Sequence, residues 1–261
     1  MNTIPKFLLH NQQKNPHSPA IWEKKLGIWH QLSWAQLADE VRVVAAVLLL
    51  EGVKRGDHVG LLGENRPHLF SAMAAIQWIG GVVVPLYTDT NAQELVKPIQ
   101  NVNISFVFVE NQEQVDKLLS LMPQCPNLRR VVFDDELGMR HYKQSQLISY
   151  DALLSKGRHH LAEVSAQLDS ELQRGSGIDP AALFFSSGTT GSALGVVQTH
   201  EALIERVQAA IKAEALTSND TSLAYLPPAW LAQHVFAYAI PMVSGSCVCC
   251  PESSETMLND M

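Results

Sequence analysis

The sequence is poor in basic residues. Its 19 lysine and arginine residues are outnumbered by 26 aspartate and glutamate residues, which gives a formal net charge of −7 at pH 7. A nucleic-acid-binding protein needs a basic surface to neutralise phosphates, so this balance argues against that class. Charged residues make up 17% of the chain and hydrophobic residues 46%. This composition fits a well-filled α/β core, and it fits equally an apolar surface that expects a covering partner.

Long hydrophobic runs are also absent. The most apolar run, Val41–Leu50, has ten residues and contains Arg42, whereas a helix needs ~20 apolar residues to cross a bilayer. The N-terminus holds only short apolar stretches around Lys6, unlike a secretory signal. We therefore expect a cytoplasmic protein. No amphipathic anchor stands out, and peripheral contact with a membrane is left open.

Cysteine is scarce, with four residues in the chain. Cys247, Cys249 and Cys250 lie in one apolar run, and Cys125 is distant in sequence. A structural zinc site prefers a pair of ligands two to four residues apart and a second pair elsewhere. We predict instead buried, reduced thiols on a core strand, with Cys249 and Cys250 on opposite faces of it. No metal site is expected.

Local signals along the first half of the chain predict regular elements. Two short apolar runs around Lys24–Gly27 predict a β-hairpin. Ser33 and Gln36 have the spacing of a capping box, and the apolar residues that follow at helical spacing predict a helix that ends at Gly52. Strands and helices alternate after that point. The predicted strands are His58–Leu62, Val82–Leu86, Ile104–Val109 and Arg130–Phe133, and the predicted helices begin near Pro67, Asn91 and Gln112.

This alternation predicts an α/β fold with mostly parallel sheets covered by helices. Pro98 lies inside one of the helices, which should be shorter or kinked. The segment Asp134–Gly177 is less regular, with polar residues and the glycines Gly138, Gly157, Gly175 and Gly177. Its adjacent histidines, His159 and His160, lie in a polar, loop-like part, and we predict that they are solvated.

The irregular segment is the predicted connection between two subdomains. The first is an N-terminal α/β subdomain, residues 1–175, which includes the short hairpin. The second, residues 176–261, is incomplete and opens with the apolar strand Ala181–Phe185.

The segment Ser186–Ser192 carries the clearest chemical signal. It follows an apolar strand and mixes hydroxyl residues with Gly188 and Gly191. Glycines let the backbone turn tightly against a ligand, and successive N–H groups can bind an anion. The hydroxyl groups add donors for phosphate oxygens. An ordinary Ser/Gly/Thr turn has the same composition, so these residues alone leave both interpretations open. The Gly-Lys-Ser/Thr ending of a Walker loop is absent.

The stretch Phe185–Val196 resembles the phosphate-binding signature of the AMP-forming adenylate ligases (AMP-binding enzymes), which reads Tyr-Thr-Ser-Gly-Thr-Thr-Gly-x-Pro-Lys-Gly-Val. The likeness extends over nearly all of the chain, whose motifs resemble those of bacterial long-chain fatty-acid acyl-CoA synthetases. It implies the N-terminal part of the acyl-CoA synthetase fold, truncated before the C-terminal lid domain. The other motifs that carry it are Gly63–Pro67, Gly81–Tyr87, Glu113–Lys117, Tyr225–Trp230 and Pro251–Ser253.

The resemblance also implies a reaction. Such ligases let a fatty-acid carboxylate attack the α-phosphate of ATP to give an acyl-adenylate and pyrophosphate, and coenzyme A then displaces AMP. ATP, Mg²⁺ and coenzyme A are therefore implied. Trp230 would lie beside the acyl carboxylate, with His234 on the same helical face, four residues later. Core packing is the alternative for both residues. The residues that would hold the ATP phosphates are Ser186, Ser187, Gly188, Thr189, Thr190 and Gly191.

The sequence departs from the family pattern in two ways. Ala193-Leu194 stands where the family has Pro-Lys, and the loss of one such electrostatic contact typically costs ~10²–10³ in rate. The adenine pocket, the acid that binds magnesium, the ribose-binding aspartate and the catalytic lysine of the lid domain are not found before Met261. We therefore assign no catalytic or metal-binding residue to this chain and expect it to be inactive alone.

Two alternatives stay open at this stage. One is a non-catalytic remnant, or a phosphate-binding or scaffolding module. The other keeps the family but changes the acid, as in aryl-CoA ligases or amino-acid adenylation domains. The expected partners are small molecules (fatty acid, ATP and coenzyme A), together with the missing C-terminal half or a second copy of the chain. Marginal stability or association is expected, because the missing half would normally cover the sheet.

Overall fold

The structure is a computed structural model that describes residues 1–186, 194–253 and 256–257. The strands in these ranges are β1 (Pro19–Lys25), β2 (Ile28–Ser33), β3 (His58–Leu62), β4 (Val82–Pro85), β5 (Phe106–Val109), β6 (Arg130–Phe133), β7 (Leu147–Ser149), β8 (Pro180–Ser186), β9 (Leu194–Thr199), β10 (Thr221–Leu223) and β11 (Cys247–Cys250). The helices are α1 (Ile4–Lys14), α2 (Trp34–Leu50), α3 (Pro67–Trp78), α4 (Ala92–Asn101), α5 (Gln112–Leu121), α6 (Tyr150–Arg174), α7 (His200–Ala213), α8 (Leu231–Gln233) and α9 (Ile240–Ser244).

The strands form two sheets. The larger has seven strands in the order β7-β6-β5-β3-β4-β8-β9 and is parallel except for the antiparallel pair β8–β9. The smaller has the order β10-β11-β1-β2, with β1 and β2 as an antiparallel hairpin. The predicted class, α/β with mostly parallel sheets flanked by helices, is confirmed.

Two apolar clusters fill the interior. The first joins both sheets through α2, α3 and α6, and it contains Ile21 and Val248 of the small sheet together with Phe106 of the large one. The second covers the other face of the large sheet with α4 and α5. Residues alternate between the clusters along β5, where Phe106 belongs to the first and Val107 to the second, as expected for a strand buried on both faces.

The local signals of the first half are confirmed. Ser33 caps α2 with a reciprocal capping box, in which its hydroxyl accepts from the Gln36 N–H at 3.3 Å and its own N–H donates to the Gln36 side chain at 2.9 Å. The predicted turn of the hairpin, the helix Gln112–Leu121 and the strand Arg130–Phe133 are also present. Pro98 does not shorten its helix, since α4 continues through it to Asn101.

The prediction for Asp134–Gly177 is wrong over most of its length. The longest helix of the structure, α6, occupies 25 residues of it, so His159 and His160 lie on a helix rather than in a loop. Gly157 was part of the loop signal, but it allows a close approach between helices. A Cβ atom there would lie 2.5 Å from the Val43 carbonyl oxygen of α2, a contact that any side chain would prevent.

The N-terminal helix α1 was not predicted. Pro5 lies in its first turn, where proline is tolerated because the first N–H groups of a helix have no partner inside it.

Among the described residues, no helix is long and apolar enough to cross a membrane. The division at residue 175 stays a prediction. The strand that follows it, β8, pairs with β4 in the large sheet.

Candidate functional site

The antiparallel pair β8–β9 supports the segment with the hydroxyl signal. Ser186 ends β8 and is the partner of Leu194, which begins β9. The pairing therefore brings the two ends of the intervening segment together. The predicted phosphate-binding residues that follow Ser186 lie outside the described residues; they are Ser187, Gly188, Thr189, Thr190 and Gly191.

An apolar groove opens beside this hairpin. Its volume is about 440 Å³, within the usual range for a small-molecule site. None of its eight lining side chains is charged. The wall on the sheet side comes from β8, β9 and the second residue after β4. The opposite wall comes from the last two residues before α8 and the first two residues of α8. The lining residues are Tyr87, Phe184, Phe185, Val196, Ala229, Trp230, Leu231 and Ala232.

Trp230 lies on the rim of the groove. The residue is 47% exposed. Its backbone N–H closes a turn by donating to the Pro227 carbonyl at 2.9 Å. An exposed indole on an apolar wall offers a large, rigid contact surface with one polar edge. The exposure of Trp230 argues against core packing, and its contact with a ligand stays a prediction.

A buried amide network holds the turn that carries Trp230. Gln233 donates from its side chain to the Asn65 side-chain oxygen at 2.9 Å and accepts from the Leu226 N–H at 3.1 Å. Asn65 in turn donates to the Leu226 carbonyl at 2.8 Å. These bonds fasten the 226–230 segment to the loop after β3, so the rim of the groove is positioned by two side chains that do not line it.

The predicted pairing of Trp230 and His234 on one helical face is wrong. Trp230 precedes α8 as its N-cap, with extended backbone angles (φ −88°, ψ 132°), so helical spacing does not apply to it. The helical segment continues from Leu231 to Ser244, and its middle part, His234–Ala239, is a π-helix. The two side chains have opposite environments, because His234 is only 1% exposed.

His234 lies beneath the groove rather than in it. Its ring packs at right angles to the ring of Phe184, with the centroids 5.4 Å apart, and lies 4.9 Å from the ring of Tyr238. Neither ring nitrogen has a hydrogen-bond partner among the described residues. Burial, and secondarily the nearby His200, lowers the pKa of His234 to about 3. The side chain is therefore a neutral, apolar support for the groove wall at physiological pH.

A second buried amide connects the π-helix to the sheet. Gln77 of α3 accepts from the Tyr238 hydroxyl at 2.7 Å and donates to the Ala181 carbonyl of β8 at 3.1 Å. Both β8, which lines the groove, and the π-helix, which follows the groove residues of α8, are therefore hydrogen-bonded to the Gln77 side chain. Burial raises the pKa of Tyr238 well above its ordinary value, so its hydroxyl keeps the proton that it donates.

The sequence did not indicate the supporting residues Gln77 and Gln233 in advance. Gln77 is the single amide in the apolar run Ala74–Ile79, and Gln233 follows a run of small and apolar residues. An amide inside an apolar helix is rarely buried without a partner, so this pattern is a usable signal for a structural network. It does not identify the distant partners, which are Ala181 and Tyr238 for Gln77 and Asn65 for Gln233, all more than 100 residues away.

The cysteines and histidines give no metal site in the part of the chain that the structure describes. No group of three or more histidine, cysteine, aspartate or glutamate side chains is placed to hold a metal ion there. All four cysteines are free thiols. Cys247 and Cys250 are buried on β11, an inner strand of the small sheet, as predicted, whereas the prediction is wrong for Cys249, which is partly exposed.

Comparison with characterised proteins finds long-chain fatty-acid–CoA ligases among the relatives of this chain. The chain is 28% identical over 248 residues to a long-chain-fatty-acid–CoA ligase, ACSBG2, of Xenopus laevis, a match that covers 93% of this chain and 33% of the relative. It is 32% identical over 208 residues to the peroxisomal long chain acyl-CoA synthetase 7 of Arabidopsis thaliana, covering 77% of this chain and 28% of the relative. The chain thus spans about a third of the length of these relatives.

Solved structures show the same fold. The N-terminal domain of FACL13 from Mycobacterium tuberculosis superposes with a TM-score of 0.77 at 21% identity, covering 99% of this chain and 59% of that protein chain. Acetoacetyl-CoA synthetase from Streptomyces lividans gives a TM-score of 0.78 at 19% identity, covering 95% of this chain and 38% of its own. The architecture is that of the N-terminal part of such ligases.

The family model of the AMP-binding enzymes matches residues 8–261. This match includes both sheets, the groove and the hairpin that carries the hydroxyl-rich segment. The chain therefore belongs to the AMP-binding enzyme family.

Proposed function

We propose that this chain provides the ATP-phosphate loop and the acyl-binding groove of an AMP-forming long-chain fatty-acid–CoA ligase. One observation carries the proposal. An uncharged groove of about 440 Å³ opens beside the β8–β9 hairpin, and the segment between those strands is the hydroxyl- and glycine-rich sequence of an AMP-binding enzyme. An apolar site next to a phosphate site is what the activation of a fatty acid by ATP requires.

The groove would take the part of the acyl chain nearest to the carboxylate. Phe184, Phe185 and Val196 supply apolar contacts on the sheet side, and Trp230 supplies them on the rim. Removal of apolar surface from water contributes about 25 cal/mol per Å², so these contacts favour a long chain over a short acid. The relatives named for long-chain fatty acids support this choice of acid.

The phosphate side of the site depends on Ser186–Gly191. Hydroxyl and backbone N–H donors fit phosphate oxygens, and ATP would supply the phosphorus atom that the carboxylate attacks. The uncharged wall around Trp230 leaves the fatty-acid carboxylate without a competing cation, which favours its reaction with the α-phosphate. The described residues offer no group of acidic side chains suited to Mg²⁺, and we assign no residue here to Mg²⁺ or to coenzyme A.

Fatty-acid binding tests the groove. We expect Trp230→Ala to weaken the binding of a fluorescent long-chain fatty acid by at least about tenfold, because it removes an aromatic wall worth more than about 1.4 kcal/mol of contact. The matched control is Phe236→Ala. Phe236 is a comparably exposed aromatic, at 55%, that does not line the groove. Equal binding by the Trp230→Ala and Phe236→Ala proteins would overturn the assignment of the groove.

ATP binding tests the loop. The paired change Thr189→Val and Thr190→Val removes two hydroxyl donors and is expected to abolish ATP binding, as measured by calorimetry. Thr217→Val, outside the loop, is expected to leave ATP binding intact.

The chain alone is expected to give no fatty-acid-dependent ATP–pyrophosphate exchange, since transition-state stabilisation depends on many contacts acting together.

A phosphate-binding or scaffolding module is the second candidate, favoured by Leu194 at the position of the family lysine. This candidate predicts ATP binding without fatty-acid binding. A ligase site predicts that both bind and that each tightens the binding of the other. Titration of ATP in the presence and absence of a saturating fatty acid separates the two functions.

A further inference from the structure

The groove and the hydroxyl-rich segment belong to two elements that meet inside the molecule. The strand β8 lines the groove and ends at Ser186, where the hydroxyl-rich segment begins. The helical segment of the opposite wall lines the groove at Leu231 and Ala232 and continues as the π-helix His234–Ala239. A contact between β8 and this π-helix is therefore a route by which a ligand in the groove can affect a ligand at the end of β8.

Gln77 of α3 bridges the two elements with its side-chain amide. The amide oxygen accepts from the Tyr238 hydroxyl at 2.7 Å, and the amide nitrogen donates to the Ala181 carbonyl of β8 at 3.1 Å. Gln77 is 4% exposed and Tyr238 is 1% exposed, so both bonds are shielded from water. A buried hydrogen bond is costly to break because the released groups stay unsatisfied. The bridge therefore fixes the position of the π-helix relative to β8.

The bridge reaches β8 where its attachment to the rest of the sheet is short. Among the described strands, β8 pairs with β4 through one register pair, Val83 with Ala182, whereas β3 and β4 pair through four. The other neighbour of β8 is β9, which forms one hairpin with it. The bond from Gln77 to Ala181 holds the residue next to Ala182 and so reinforces this short attachment. Loss of the bond should loosen β8 and, with it, the start of the hydroxyl-rich segment.

The π-helix is an element with two discrete arrangements. A π-turn contains one residue more than an α-turn, so relaxation to α-helical bonding rotates the following side chains by about 100° around the helix axis. Such a rotation would carry the Tyr238 hydroxyl away from Gln77. The same π-helix places the His234 ring against Phe184, a groove residue, with the ring centroids 5.4 Å apart. The π form therefore supports the groove and makes the bridge, and π-turns occur frequently at functional sites.

We propose that Gln77 and Tyr238 are positioning residues that couple the two ligands of the site. The inference rests on the proposed function, since it takes a fatty acid as the ligand of the groove and ATP as the ligand of the segment after β8. A fatty acid packed against the groove wall favours the π form, and the bridge to Ala181 then holds β8 in the arrangement that binds ATP. Neither positioning residue lines the groove. Their effect is therefore on the mutual dependence of the two ligands rather than on contact with either.

Fatty-acid binding with and without ATP measures this coupling. In the wild-type chain we expect saturating ATP to lower the Kd of a fluorescent long-chain fatty acid by about fivefold or more, a typical size for coupling between two sites. Tyr238→Phe removes only the hydroxyl, and we expect it to bring this ratio to within about twofold of one while fatty acid alone still binds. Tyr150→Phe is the matched control and should keep the wild-type ratio. Tyr150 is also buried and donates its hydroxyl to Glu40 at 2.9 Å, but it does not line the groove.

Hydrogen exchange of the ligand-free chain tests the bridge independently of both ligands. We expect Tyr238→Phe and Gln77→Leu, once shown to be folded by circular dichroism, to speed amide exchange in β8 and the π-helix together by about tenfold. Tyr150→Phe should leave both at the wild-type rate. Unchanged exchange in β8 would overturn the bridge.

The two experiments separate this inference from the proposed function. A wild-type chain that binds neither ligand would overturn the proposed function and the coupling together. Binding of both ligands with a ratio that the folded Tyr238→Phe variant leaves unchanged would overturn the coupling alone.

Discussion

Two histidines, the half-buried His68 and the buried His234, differ in their pKa according to their partners. His68 of α3 contacts Asp134 through its Nδ1 atom at 2.6 Å and stacks on the ring of Tyr150 at 4.1 Å. Burial acts to lower the pKa of His68, but the hydrogen bond and charge of Asp134 outweigh it, and the pKa is raised. His234 has neither a hydrogen-bond partner among the described residues nor a nearby carboxylate in its surroundings, and its pKa falls. The two residues should therefore respond to pH in opposite directions.

The His68–Asp134 pair predicts stability that is lost at alkaline pH. A raised pKa means that the contribution is fully present below the ordinary histidine value of 6.5 and disappears as the pH rises through the folded-state value. His68→Gln is expected to lower the free energy of unfolding at pH 6 by about a few tenths of a kcal/mol more than at pH 8, because the pair is partly exposed and screened. Urea unfolding at both pH values measures this difference. His10→Gln, which removes an exposed histidine from α1, is the control.

His234 predicts the opposite effect in acid. Its pKa of about 3 in the folded chain lies below the ordinary 6.5, so folding loses stability as the pH falls from about 6.5 towards 3. His234→Met removes a titrating group from an apolar site, so the acid-unfolding midpoint should move to lower pH. At pH 4 the free energy of unfolding should rise by on the order of a few kcal/mol. Fatty-acid binding at pH 7 should be unchanged. An unchanged acid midpoint would show that His234 is hydrated or paired in solution.

Among the elements, the short turn before α8 depends on side chains from elsewhere in the chain. Asn65 and Gln233 satisfy each other and both backbone groups of Leu226. A buried amide that loses its partner costs about 1–3 kcal/mol. We expect a double-mutant cycle of Asn65→Ala and Gln233→Ala to give a coupling energy of about 1–3 kcal/mol in urea unfolding, and each single variant to weaken fatty-acid binding.

An exposed amide pair supplies the control for this cycle. Gln124 donates to Gln93 at 3.3 Å on the surface, and the same cycle at that pair should give a coupling energy near zero, because water replaces the lost partner. A coupling energy at Asn65–Gln233 no larger than that of the surface pair would show that the turn before α8 is held by other contacts.

The elements that could be predicted from the sequence are those whose signals are local. The capping box at Ser33 and the helix Gln112–Leu121 depend on residues within a few positions of each other, and both are confirmed. The helix α6 was missed because Gly157 resembles a break in a helix, while its purpose is contact with Val43 in α2. The amide network at Gln233 could not be predicted either, because its partner Asn65 is 168 positions away in the sequence.

At the scale of the whole molecule, β9 lies at the edge of the large sheet and pairs with β8 alone among the described strands. Val196 and Val197, which point to opposite faces, are 45% and 49% exposed. An exposed apolar edge strand is a template for pairing with another chain. We expect the isolated chain to associate at high concentration and Val197→Lys to reduce this association, as measured by sedimentation velocity.

The control for this prediction is Ile178→Lys. It places the same charge at a more exposed residue, at 74%, that lies outside any strand. Equal effects of the two substitutions would attribute the association to net charge rather than to the edge of the sheet. The composition, low in charge and rich in apolar residues, is compatible with such a surface, but it could not indicate where on the molecule the surface lies.

The parallel pairing of β1 with β11 cannot form until most of the chain has been synthesised. Ile21 and Val248 are register partners 227 positions apart, and β11 separates the hairpin from β10 in the small sheet. At about 5–20 residues per second, a ribosome needs about 10–45 s to make the intervening chain. During that interval the hairpin has left the exit tunnel while its β1 edge has no partner strand. A chaperone that binds nascent chains could therefore bind this edge before β11 pairs with it.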